Sequence, residues 1–181
     1  MPIGEHAVLR DHEGRRALVF ERVLADPPER VWRALVAPEE PAHWHPTPFE
    51  LDPRDAEPGA RVSYLPSAGI PDMADGELLA YEPPRAISYT WGADELHWKL
   101  SEHDGGCLLR LMHVFDDRFK AARDAAGWHL CLQALSDGLE RSTAPLRGSS
   151  PRLPDGWEEL NRDYQQRFGI SPERATPPPT P

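Results

Sequence analysis

The chain is 181 residues long and carries 30 acidic against 20 basic side chains, a formal charge of −10 at neutral pH. That length fits one domain with a proper core, and the acidic balance, with no basic run or basic-aromatic stripe, argues against nucleic acid or an anionic membrane surface as partner. No window reaches the apolar length of a membrane span and residues 1–6 lack a signal peptide's basic and apolar regions, so a cytoplasmic protein without membrane insertion is expected. Cys107 and Cys131 stand apart from any Cys-x-x-Cys spacing, which predicts buried free thiols.

In chain order, Leu18-Val19-Phe20-Glu21-Arg22-Val23-Leu24 reads as a strand, ambiguous in its faces because Glu21 and Arg22 put a charge on each. Asp26 is placed as an N-cap, with Pro27 at the first helical position and Glu29 where a capping-box partner reaches back. Val31, Ala34 and Leu35, with Trp32 alongside, give this helix an apolar face, and Pro38 ends it. Trp44 sits in a proline-bounded connection. Strands are predicted at 47–51, 60–65, 75–81, 86–91, 96–102 and 105–115, separated by glycines and prolines at the spacing of a meander. In the last of them Arg110 should face water, which assigns Leu109, Leu111, His113 and Phe115 to the inner face by the two-residue period. His113 is then a polar group on an apolar wall.

From about residue 116 the period becomes helical. Ala121, Ala125, Trp128, Leu132, Leu135 and Leu139 recur at alternating spacings of four and three, one seam facing the sheet. The seam is small where Ala121, Ala122, Ala125, Ala126 and Gly127 cluster and bulky afterwards, so a cavity is expected beside its first half. Domain boundaries are placed at 1–147 for the main domain and 148–181 for an extension: a Gly-Ser-Ser-Pro linker at 148–151, a short amphipathic helix over 155–168 capped by Asp155, and a disordered proline-rich end. The helix shows an apolar stripe of Trp157, Leu160, Tyr164 and Phe168, which should dock on the main body or on a second subunit, as in a homodimer.

The segment from Phe20 to Trp44 and the Gly127-Trp128 helix resemble the activator-of-Hsp90-ATPase-homologue (AHSA1-like) family of the START-like, or SRPBCC, superfamily, over residues 15–146. The resemblance implies an α+β helix-grip fold of the START/Bet v 1 type, a curved antiparallel sheet of about six or seven strands wrapped around the long C-terminal helix.

The aromatic residues Trp32, Trp44, Tyr64, Tyr89, Trp91, Trp98 and Trp128, with Leu111, His113, Ala121, Ala125, His129 and Leu132, are the candidate lining of a helix–sheet pocket. The plain alternative for each ring is ordinary core. His113 and His129 are the candidate polar groups to orient a ligand, or with Tyr89 to act as acid and base, although no carboxylate partner is visible. His43-Trp44-His45 brings two imidazoles close, but without a recognised ligand spacing no metal is expected, and no cofactor either. Phosphate-binding loops, a Gly-x-Ser-x-Gly elbow and thiol-enzyme signatures are all missing from the sequence. The expected function is non-catalytic binding of a small, largely apolar molecule between helix and sheet. The resemblance implies two alternatives: a protein-interaction module stimulating an Hsp90-type ATPase, and a cyclase- or hydratase-like enzyme using the same cavity.

Overall fold

The computed structural model describes residues 6–37, 40, 44–52, 54–65, 73–141 and 156–176. The chain opens with a hairpin of β1 (Val8–His12) and β2 (Arg15–Leu24), turned through Glu13 and Gly14 at φ +49° and +83°. Two left-handed residues in a two-residue loop match the twist of the flanking strands. Helix α1 (Pro28–Val36) follows, then β3 (Phe49–Glu50), β4 (Arg61–Tyr64), β5 (Gly76–Glu82), β6 (Ala86–Trp91), β7 (Asp94–His103) and β8 (Gly106–Phe115). A 3-10 turn (Arg118–Lys120) leads into α2 (Ala121–Arg141), and α3 (Trp157–Phe168) completes the order.

All eight strands form one antiparallel sheet in the order β1-β2-β8-β7-β6-β5-β4-β3. The strand read as ambiguous, β2, lies inside the sheet next to its edge strand, between β1 and β8, and Ala17, Leu18, Val19 and Phe20 are all buried. Its charge at Glu21 faces outward and receives the Arg110 guanidinium, Nε to carboxylate at 2.8 Å, from the paired position on β8. The inward assignment of Leu109, Leu111, His113 and Phe115 holds, since none is more than 1% exposed. The helical seam holds as well: Ala121, Ala125, Trp128, Leu132, Leu135 and Leu139 are all buried. Each Leu so buried contributes roughly 1.5–3 kcal/mol of transfer free energy.

Three local expectations are corrected. The sheet has eight strands rather than six or seven, because β1 went unread: its burial is shallow and its sequence, Val-Leu-Arg-Asp-His, is mostly polar. The N-cap of α1 is Pro27, with Pro28 at the first helical position and no side-chain cap from Asp26. Helix α2 begins five residues later than 116, because the Asp117 carboxylate accepts the Phe119 amide at 2.9 Å and starts the 3-10 turn first. The predicted cap Asp155, the 148–151 linker and residues 177–181 lie outside the described residues.

The stripe on α3 docks on the same chain. Tyr164 is fully buried, and its hydroxyl accepts the Ala7 amide at 3.1 Å and lies 2.9 Å from His129 Nδ1 on α2. Gly169 ends the helix in the left-handed conformation at φ +61°. The small residues of α2 thus divide between two neighbours. Ala121 and Ala125 share the sheet-facing seam with Trp128, whereas Ala122, Ala126 and His129 share a second stripe, which the His129–Tyr164 contact turns toward α3.

Candidate functional site

The register of the sheet assembles the site. Tyr89 on β6, Leu96 on β7 and His113 on β8 are cross-strand partners in one inward row, and Ile87, Trp98 and Leu111 form the next. Neighbouring strands lie about 4.8 Å apart, so Tyr89 and His113 stand on the same wall roughly 10 Å from each other. Trp128 of α2 comes down between the rows. Its ring lies 5.3–5.7 Å, edge on, from those of His45, Trp91 and Trp98, and 6.2 Å from His113. Edge-to-face geometry at these separations is the favourable arrangement for aromatic pairs.

His113 is fully buried and held at both nitrogens. The Trp128 indole donates to Nδ1 at 3.2 Å, and because an indole nitrogen only donates, the ring proton sits on Nε2. Nε2 then donates to Asp94 Oδ2 at 2.8 Å. Asp94 is the first residue of β7, brought to this point by the short turn at Gly92-Ala93. The same Asp94 oxygen accepts the Lys120 ammonium, which lies 3.8 Å from Asp124 Oδ2. Burial works to raise the Asp94 carboxyl, but the bonds and charges of His113 and Lys120 together hold it below its ordinary value. Ligand atoms of Asp94, His113 and Asp124 all lie within 4.8 Å of one another, a spacing that could hold a metal ion. Lys120 faces both carboxylates and the Arg123 guanidinium donates to Asp124 Oδ1 at 2.8 Å, so the two carboxylates are matched by two cations of the chain itself.

A second polar node surrounds Tyr89. His45 is 3% exposed, and its Nδ1 accepts the Thr47 amide at 3.2 Å, which places the ring proton on Nε2, 3.1 Å from the Tyr89 hydroxyl. Burial pushes the imidazole pKa down to about 3, against a smaller opposing effect of the Thr47 bond. The same hydroxyl accepts the Trp98 indole N–H at 3.1 Å. Burial also raises the Tyr89 phenol well above its ordinary pKa, so it remains protonated.

The predicted lining residues separate into groups. Trp44, Tyr89, Trp91, Trp98, His113 and Trp128 come together in one linked set of rings, with Leu111 on the wall and Ala121, Ala125 and Leu132 on the facing helix. Trp44 also donates its indole N–H to the Ala34 carbonyl at 2.9 Å, which anchors this wall to α1. Tyr64 borders the set through its bond to the Thr90 carbonyl. Trp32 stands apart, packed on Tyr81 at 5.5 Å, and His129 faces α3 rather than the sheet. His113 and His129 therefore do not converge on one point.

Sequence reasoning missed Asp94, Lys120 and the burial of His45, which lies in a segment that reads as an exposed loop; His43 is outside the described residues. Asp94 could have been found by counting outward from Trp91, since a two-residue turn makes residues 91 and 94 partners. Thr47, Trp44 and Phe49 touch His45 from nearby in sequence, but its contacts to the sheet and the long helix come from 44 positions away on β6 and farther still on α2.

A curved antiparallel sheet gripping one long helix defines the helix-grip class of α+β domains. The chain belongs to the family described as Activator of Hsp90 ATPase homolog 1-like protein, whose sequence model matches residues 25–140. Among solved structures it is similar to EF2215 from Enterococcus faecalis, a conserved protein of unknown function, at 16% identity and TM-score 0.69 over 91% of this chain and 92% of that one. CalU16 from Micromonospora echinospora aligns at 20% identity and TM-score 0.66 over 94% and 97%. The BPP1335 protein of Bordetella parapertussis aligns at 28% identity and TM-score 0.64 over 92% and 95%. These likenesses establish the fold. No curated protein matches the chain. No helix among the described residues is long and apolar enough to cross a membrane.

Proposed function

We propose that the protein binds a small, largely apolar molecule against the aromatic wall between β6, β7, β8 and α2, without transforming it. The observation that carries this reading is the set of three buried, hydrogen-bonded polar rings, His45, Tyr89 and His113, on a wall otherwise made of tryptophan, phenylalanine and leucine. A core that serves packing alone needs no such groups, and each costs desolvation free energy to place there. A few placed polar groups in an apolar surround are what a ligand site requires for affinity and orientation together. Catalysis has weaker support, because the Asp94–His113 pair ends on Trp128, whose N–H takes the lone pair that would act as base.

Native mass spectrometry of the freshly purified chain tests this directly. A noncovalent organic adduct that organic extraction removes is the expected result. A bare chain that also fails to bind any member of a panel of apolar probes would overturn the reading.

A further inference from the structure

One proton at the site has no destination. The Tyr89 oxygen receives the Trp98 indole N–H at 3.1 Å, and that nitrogen can only donate. His45 Nε2, also at 3.1 Å, is a second donor, because Nδ1 already accepts the Thr47 amide. Two donors fill both acceptor positions of a hydroxyl oxygen, so the Tyr89 O–H has to donate to something else. It forms no hydrogen bond to an acceptor among the described residues, the Tyr64 hydroxyl included, whose own proton goes to the Thr90 carbonyl. At 1% exposure the group is beyond the reach of bulk solvent. Buried donors in folded proteins are almost always paired, and the few that are not call for an explanation.

We propose that the Tyr89 hydroxyl is the donor that recognises a neutral carbonyl oxygen on the bound molecule, which makes the ligand class a carbonyl-bearing apolar compound rather than a plain hydrocarbon or an anion. This rests on the reading that the helix–sheet interior takes a small apolar molecule. Two donors feeding one oxygen polarise its O–H and strengthen it toward an acceptor. An anion is disfavoured by the chain's net charge of −10 and by the cost of burying an unpaired charge among aromatic rings. Phe49, 5.0 Å from the Tyr89 ring, and Trp98 supply apolar surface for the remainder of the molecule.

The test compares 2-acetonaphthone with 2-ethylnaphthalene, matched in ring system and length and different in the carbonyl, by calorimetry on the full chain. The ketone is expected to bind about tenfold more tightly, the worth of one buried hydrogen bond. In Tyr89→Phe that preference falls to parity while the hydrocarbon still binds. The carbonyl stretch of the bound ketone shifts to lower frequency in the native chain and not in the variant. Equal affinity of the two probes for the native chain overturns the assignment to Tyr89 and leaves apolar binding standing; failure of both probes to bind overturns the assignment too, and removes the apolar reading only when the wider probe panel also fails. If Tyr89→Phe does not fold, the affinity ratio and the carbonyl shift in the native chain still decide. A His45 ring found protonated on Nδ1 by 15N spectroscopy would give the Tyr89 proton an acceptor and overturn the proposal without any ligand.

Discussion

His45 is an imidazole that stays neutral inside the fold down to about pH 3, whereas in the unfolded chain it takes up its proton near 6.5. Between those values the unfolded state binds a proton that the folded state refuses, so stability falls as pH falls through that window, by at most roughly 1.4 kcal/mol per pH unit from this group. Urea unfolding of the native chain and of His45→Gln at several pH values should give a shallower decline in the variant; identical slopes would remove His45 as the cause. Asp94 makes a different demand. Asp94→Ala leaves the Lys120 ammonium and the His113 N–H without their shared acceptor, and we expect a loss of about 3 kcal/mol in urea unfolding. Asp94→Asn keeps an oxygen for His113 and should lose less. A loss below about 1 kcal/mol for the alanine variant would mean that the network contributes little.

Helix and strand positions were legible wherever the chain repeats a period that burial enforces. The α2 seam and the inner face of β8 are of this kind, since a wrong register would put leucines in water. Elements held by partners remote in sequence were not legible. The edge strand β1 has little to bury, and the His45 segment is enclosed from afar, by Tyr89 of β6 and Trp128 of α2. The candidate site followed the same division: its aromatic wall could be read from alternation, but the acid that pairs with His113 enters through a turn. Close backbone approach was equally hidden. At Gly106, where β8 leaves its turn, a Cβ would lie 2.1 Å from the Leu24 carbonyl oxygen of β2, a backbone atom with little freedom to move. Gly106→Ala is therefore expected to cost about 1–3 kcal/mol by thermal or urea unfolding. A neutral result would mean that β2 and β8 can separate at that end without loss.

For the molecule as a whole, family membership leaves open whether the domain acts on another protein or on a small molecule. The first alternative is answered by adding the protein to a cognate Hsp90-type ATPase. A ligand-binding domain should leave the turnover rate unchanged, and dose-dependent stimulation would move the assignment to the protein-interaction reading. The cis docking of α3 removes one apolar stripe that would otherwise have offered a partner a landing surface.

The pairing of β2 with β8 also constrains how the chain is born. Glu21 and Arg110 are partners 89 positions apart, so at about 5–20 residues per second roughly 5–20 s of translation separate the emergence of β2 from that of the strand that covers it. Throughout that interval Ala17 to Phe20 has only the hairpin partner β1 beside it. Of the described strands, this early apolar one thus waits for a late partner, and a nascent chain stalled short of Phe115 would keep a naked edge open to its neighbours on the polysome.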